Sequence, residues 1–296
     1  MTYSIIGRDP DTGEIGAAVQ SKFPGVGSIV LHGRVEAGCL TTQAFSDPMH
    51  GETGLALLER GATARQALDE LLDGDEGRGR RQIAMLAHDG APAAFTGDEV
   101  RGWRGWSGDA AGAHCVATGN TLAGEGVLAA MVETFETAQD EFAMRLIRAL
   151  RAGRDAGGEL RGLQSAAVLT FKPGGGYGGR SGRHVDIPVY DHDRPIEELA
   201  RCYRLHRLSY FPSDPEDLMP IDAATALRLK AILRAHGFDG VRDGPAWEES
   251  AIAAMARFMG EQNYDNRIRD DALIDREVLE DILEKHPAGA GTGYSR

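Results

Sequence analysis

The chain has 296 residues, 42% of them hydrophobic and 26% charged, with a formal net charge of −13. That is enough apolar residue for a packed core, in one large domain or a large and a small one. An acidic balance without a long basic run argues against nucleic acid and anionic membranes as partners, because binding either rests on clustered Lys and Arg.

Cys39, Cys115 and Cys202 are widely spaced and odd in number, with no CxxC pair. They offer neither a closed disulfide set nor a zinc pattern, which fits a reducing compartment. The opening MTYSIIGRDPDTGEIG has no basic n-region and no long apolar stretch, so no signal peptide is expected. No run of about 18 apolar residues occurs, so no membrane-spanning helix is expected either. The expected location is the cytoplasm.

In chain order, Tyr3 to Asp9 and Glu14 to Ser21 are β-compatible runs joined by Asp9-Pro10-Asp11-Thr12-Gly13. Pro presets φ there and Gly permits a positive one, so the join reads as a turn. A second pair of strands is expected at Gly27 to His32 and Gly38 to Ala44. The period then changes, with Leu55, Leu57 and Leu58, then Ala67, Leu68, Leu71 and Leu72, at helical spacing. Thr63 is the expected N-cap between two short helices.

Strand texture returns at Gln82 to His88 and Ala93 to Thr96 around the hairpin signal Asp89-Gly90. His114 to Thr118 is another strand and runs into Gly119-Asn120. Helices follow over about Gly124 to Ala138 and Glu141 to Arg154. Gln164 to Phe171 and His184 to Tyr190 are strands joined by the glycine-rich loop Gly174 to Gly179. Hairpins without regular βαβ alternation predict an α+β fold of antiparallel sheets with helices layered outside them.

Beyond Pro195 the texture stays helical, with candidates at Ile196 to Tyr210, Ala223 to His236, Pro245 to Met259 and Arg276 to Lys285. The expected division is a domain over 1–194, a small helical domain over 195–287, and a disordered Gly-rich tail over 288–296.

Thr2 carries the chemistry that matters most. A small second residue allows Met1 to be removed, which would leave a free α-amine beside the Thr2 hydroxyl. That hydroxyl is a weak nucleophile until a base takes its proton, and an amine with a pKa near ~8 can do so. Many proteins also have a small second residue to no catalytic end. Ser4 and Ser21 are rival nucleophiles, but neither has an adjacent His and no Gly-x-Ser-x-Gly elbow occurs. No His-Glu-x-x-His pair occurs, and His184, Asp191, His192 and Asp193 read as a solvated strand end, so neither metal nor cofactor is expected. The Gly174 to Gly179 loop lacks the Lys-Ser/Thr ending of a phosphate loop.

The stretch TYSIIGRDPDTGEIGAAVQSKFPGVG, followed in order by GCLTTQA, ATGN, RGLQSAA and GYGGRSGRHVD, resembles the bacterial and archaeal family designated domain of unknown function 1028. The resemblance covers about residues 1–190. It implies an N-terminal-nucleophile (Ntn) hydrolase fold, a four-layer αββα sandwich of antiparallel sheets, with amide hydrolysis as the default chemistry. PIEELARCYRLHRL, DPEDLMPID and the run from Phe258 through Asn263-Tyr264-Asp265 to Ile274-Asp275 resemble an appended module labelled peptidoglycan-binding.

Supporting residues are assigned by role. Lys22, at the end of the second strand, can lower the amine's pKa or steady an oxyanion, or is simply solvated. Gln43 and Asn120, at strand ends in TTQA and ATGN, can donate to a tetrahedral intermediate, or satisfy a turn. In RGLQSAA, Arg161 and Gln164 are candidates to bind substrate, and Ser165 to hydrogen-bond the Thr2 amine; Asp155 is a further candidate for that amine. Trp103 and Trp106 either wall a substrate or cap a small core. The expected partner is a small amide or peptide-like substrate, with homo-oligomerisation through the helical module as a further expectation. The alternative is a non-catalytic glycan- or peptide-binding scaffold. Intact mass of native protein is expected to correspond to a chain starting at Thr2; full retention of Met1 would sink Thr2 as nucleophile.

Overall fold

The structure, a computed structural model, describes residues 2–287. Met1 and the tail expected over 288–296 lie outside the described residues. The chain divides into two compact units, Met1–Tyr203 and Arg204–Arg296, so the division falls inside a helix that starts at Pro195.

The first unit opens with β1 (Thr2–Asp9) and β2 (Glu14–Ser21), paired antiparallel. The turn between them forms as its residues demand. Asp9 Oδ1 accepts from the N–H groups of Asp11 and Thr12, and Gly13 takes φ 72°. Next come α1 (Gly27–Val30), β3 (Leu31–Arg34), β4 (Gly38–Ala44), α2 (Met49–Glu59) and α3 (Ala64–Asp73). Thr63 caps α3 through a capping box with Gln66. Then follow β5 (Arg81–Ala87), β6 (Ala93–Thr96), α4 (Asp98–Arg101), β7 (Trp106–Ala111), β8 (Cys115–Leu122), α5 (Gly126–Thr137) and α6 (Phe142–Asp155). The unit ends with β9 (Ser165–Phe171), β10 (Arg183–Val189) and the first part of α7 (Pro195–Tyr210).

Two of the differences from the sequence expectation bear on the sheets of the first unit. The strand expected from Gly27 is a helical turn first and a strand only from Leu31, because a short apolar run does not distinguish the two by periodicity. Trp106–Ala111 carries no strand signal, yet it forms β7 because β8 offers it a partner edge.

The strands form two antiparallel sheets, ordered β10-β9-β2-β1-β8-β7 and β3-β4-β5-β6. Alternation sorts their side chains. Ile6, Ile15, Ala17, Val19, Val116, Leu169 and Phe171 of the larger sheet pack against Cys39, Ala84 and Leu86 of the smaller. The opposite face of the smaller sheet, with Leu40, Ile83 and Met85, is covered by Leu55, Leu58, Leu68 and Leu71 of α2 and α3. The opposite face of the larger sheet is covered by α5 and α6. There, the Tyr3 hydroxyl donates to Leu150 O at 3.2 Å, and burial holds the phenol well above its ordinary range.

The second unit contains α8 (Ala223–Ala235), α9 (Glu249–Glu261), α10 (Arg276–Lys285) and a short antiparallel pair, β11 (Leu218–Pro220) and β12 (Leu273–Asp275). Its own core joins Leu208, Leu229, Leu233, Met255, Phe258, Ile274 and Ile282. Asp222 and Asp275 cap α8 and α10 by accepting from N–H groups of the first turn. Arg267 and Asp275 form a buried ion pair at 2.6 Å. Among the described residues, no helix is long and apolar enough to cross a membrane.

Gly7 sits under α5, where an added Cβ would lie 2.2 Å from the Phe135 ring. Gly7→Ala is therefore expected to destabilise the first unit by about 1–3 kcal/mol, read by denaturant unfolding. In the second unit, Arg267→Met strands the Asp275 carboxylate without its partner, and a loss of about 3–5 kcal/mol is expected in the same measurement.

Candidate active site

The layer between the two sheets changes character along its length. At one end it is apolar; towards the start of β1 it is polar and still buried. Thr2, Ser4, Ser21, Gln43, Gln82, Thr96, Thr118, Asn120 and Ser165 are all buried, although such groups cost free energy unless hydrogen-bonded. This end gathers the first residues of β1, β5 and β9 and the last residues of β2, β4 and β8.

Register fixes how Thr2 is held. Thr2 pairs with Ser21 on β2, and its hydroxyl donates to Ser21 Oγ at 3.0 Å. On the other side, Arg8 N donates to His114 O at 2.9 Å, and the β1–β8 register runs from Gly7↔Cys115 to Tyr3↔Gly119. Backbone bonds towards one neighbour recur every second residue in an antiparallel ladder. Thr2, like Arg8, therefore directs its nitrogen towards β8, where the next residue of the register is Asn120. The pair with Ser21 is then of the kind that lacks backbone bonds, which brings the two side chains together.

The buried polar groups form one connected set. Gln82 Nε2 donates to Thr96 Oγ1 at 2.9 Å, Gly108 O at 3.1 Å and Gly119 O at 2.8 Å. Its Oε1 accepts from Gln43 Nε2 at 2.8 Å and from Asn120 Nδ2 at 2.7 Å. Ser4 Oγ donates to Gln43 Oε1 at 2.8 Å and lies 3.2 Å from Thr118 Oγ1. Asn120 Oδ1 is buried and has no hydrogen-bond partner among the described residues.

The other sequence candidates lie around this end. Lys22 follows β2; its backbone N donates to Glu159 Oε2 at 3.0 Å and its Nζ to Leu163 O at 3.3 Å. Arg161 Nε donates to Glu159 Oε1 at 2.5 Å. Glu159, whose side chain is fully buried, therefore ties the 156–164 loop to the end of β2. Gln164 N donates to Ser21 O, while its side-chain Nε2 donates to Asp191 Oδ1 at 3.0 Å. Ser165 Oγ donates to Phe23 O at 2.5 Å and accepts from Val26 N at 3.2 Å, so its bonds serve the 22–26 loop. Asp155 pairs with Arg154, which also bonds Glu197.

Phe45, just past Gln43, and Trp103 meet edge-on at 5.9 Å between ring centroids. The 45–48 segment is held by Arg81, whose guanidinium donates to Phe45 O and pairs with Asp75 at 2.7 Å. The Arg81 hydrogen bonds hold the Asp75 carboxyl below its ordinary range. Phe23, Phe45 and Leu160 are exposed apolar residues on these loops.

Gln82, Glu159 and Thr118 escape a reading of the sequence by motif, and Ser21 enters it only as a rival nucleophile, not as the partner of Thr2. The signal that would have found three of them is a period-two one: polar residues at the inward positions of strand ends, in AAVQS, QIAML and VATGN. Among the described residues, no group of three or more His, Cys, Asp or Glu is placed to hold a metal ion.

Comparison with known proteins gives two family matches. Residues 2–199 match the family described as "Family of unknown function (DUF1028)", and residues 210–282 match one described as "Putative peptidoglycan binding domain". No curated protein matches the chain. Among solved structures, the chain is similar to the crystal structure of a DUF1028 protein from Silicibacter pomeroyi. The two are 34% identical, with 70% of this chain and 89% of that one covered and a TM-score of 0.63. Carrying the first of these matches over more than half its length, the chain belongs to the DUF1028 family.

Proposed function

We propose that the first unit is an amide hydrolase of the Ntn type, with Thr2 as nucleophile once Met1 is removed. The observation that carries this reading is the seat of Thr2. It stands at the first position of a central strand, with its hydroxyl 3.0 Å from Ser21 Oγ and its nitrogen directed by register towards Asn120. Helices on the outer faces of two facing antiparallel sheets support the same reading, because that is the layering an Ntn-hydrolase fold requires.

The chemistry follows from the groups at hand. The free α-amine takes the Thr2 hydroxyl proton, and Oγ1 attacks the amide carbon to give a tetrahedral intermediate. Lys22 brings positive charge to this end and is the candidate to steady the oxyanion, whereas Arg161 is paired with Glu159. The amine then gives its proton to the leaving nitrogen as the C–N bond breaks. Water, deprotonated by the same amine, then attacks the resulting ester carbon, and as the C–O bond breaks the amine returns that proton to Thr2 Oγ1, which frees the acid. Gln43 and Asn120 act from within the buried polar set, and Gln164 and Arg161 shape the rim where a small amide or peptide-like substrate would bind, with buried Ser165 supporting it through the 22–26 loop.

One observation favours a second reading, a glycan- or peptide-binding protein whose first unit is a scaffold. The second unit matches a description that names peptidoglycan, and it carries a pocket lined by Trp247, Ile221, Met255 and Arg269. The two readings part in one comparison. A panel of small amides, acylated amino acids and short peptides is expected to be turned over by wild type and at least about 10³-fold more slowly by Thr2→Ala. Muropeptide binding unaffected by Thr2→Ala, with no turnover anywhere on the panel, would favour the scaffold.

A further inference from the structure

The hydrogen-bond set around Gln82 decides which end of the Asn120 amide faces Thr2. The two ends of an amide side chain are interchangeable in shape, so only their partners distinguish them. Gly108 O and Gly119 O are backbone carbonyls, and a carbonyl can only accept. The Gln82 group within 3.1 Å of both must therefore be Nε2. Its Oε1 is then turned to the other side, where it can only accept. That forces Gln43 and Asn120 each to present a nitrogen to it. The chain closes consistently at Ser4, which donates to the Gln43 Oε1 left on the far side.

For Asn120, the consequence is an outward-turned oxygen. Its Nδ2 is spent on Gln82 at 2.7 Å, and its Oδ1 has no partner among the described residues although Asn120 is fully buried. Asn120 lies on the inter-sheet side of β8, the side that Thr2 occupies on β1, at the position facing Thr2 in register. The ladder directs the Thr2 nitrogen at the main-chain carbonyl of the same residue, one step beyond the register pair Tyr3↔Gly119. A buried acceptor without a donor costs about 1–3 kcal/mol, and an ammonium carries three donors.

We infer that Asn120 Oδ1 accepts a hydrogen bond from the α-amine of mature Thr2, and that Gln82 is the positioning residue that holds Asn120 in this orientation. This assignment rests on the Ntn reading and sharpens it: Asn120 holds the base instead of serving as an oxyanion donor. The charged groups around the amine are Lys22, past β2, and the Glu159–Arg161 pair of the 156–164 loop. Behind the sheet, around Tyr3, lie Arg154, Asp155 and Glu197. From β4 and β5, the neutral Gln43 and Gln82 belong to the same buried polar layer.

The test reads the amine directly and needs no substrate. Full-length protein is made with ¹³Cα-labelled threonine, the Thr2 resonance is assigned by its loss in Thr2→Ser, and its shift is followed against pH. A hydrogen bond to the charged form favours that form. Asn120→Ala is therefore expected to lower the amine's pKa by about half a unit to one unit, and Asn120→Asp to raise it by about one unit or more. Gln82→Met, which frees Asn120 to turn, is expected to lower it in the direction of Asn120→Ala although Asn120 is intact. If Gln82→Met does not fold, the two Asn120 variants decide alone. An unchanged or raised pKa in Asn120→Ala overturns the assignment while leaving Thr2 as nucleophile. Intact mass showing Met1 retained overturns both.

Discussion

Gln82 sits where both sheets need it, and its side chain has one way to lie. Backbone carbonyls of β7 and β8 take its Nε2, so its Oε1 must collect donors from β4 and β8. A buried amide with all its capacity used is rigid, since turning it would set oxygen against oxygen. From that one orientation follow the orientations of Gln43, Ser4 and Asn120. The polar end of the interlayer is thus a single cooperative arrangement, not a collection of separate contacts.

Its setting explains how such a cluster is tolerated. The apolar end of the same layer, with Ile6, Ala17, Val19, Leu86, Leu169 and Phe171, supplies the burial that holds the sheets face to face. Each well-buried side chain of this kind contributes about 1.5–3 kcal/mol. Polar groups at the other end are nearly all bonded, so their desolvation is largely offset. Within this layer Asn120 Oδ1 and Thr41 Oγ1 have no partner among the described residues, and further unpartnered buried atoms, such as Gln20 Oε1 and Thr170 Oγ1, lie elsewhere. Unsatisfied buried groups are costly, and that cost is most readily understood where a ligand or a reacting group completes them.

The second unit is built on different terms. Its core is helical, and its cations Lys230 and Arg267 are buried. Lys230 donates to the carbonyls of Gly244 and Ala246 and to Glu248, and Arg267 is clasped by Asp275 and the carbonyls of Arg207 and Phe211. These cations staple loops to helices. They give the unit a defined shape with few strands to provide it, and the pocket beside Trp247 is part of that shape.

Much of the fold was legible in the chain itself. Period and punctuation gave most of the strands and helices, because alternation, Asp9-Pro10-Asp11-Thr12-Gly13 and the Thr63 cap act over a few residues. The family was legible from ordered motifs, and so was the start of the first strand directly behind Met1. Tertiary structure alone decided the rest. β7 exists only because β8 lends it an edge, and Gln82, unremarked in QIAML, becomes central because carbonyls from β7 and β8 converge on it. Ser165, offered by the sequence to the Thr2 amine, is bonded instead to Phe23 O and Val26 N. Which end of an amide faces a site depends on partners dozens of residues away, and local pattern carries no record of them. The sequence determined which residues would meet the interlayer; only the packed sheets determined which atoms each of them presents.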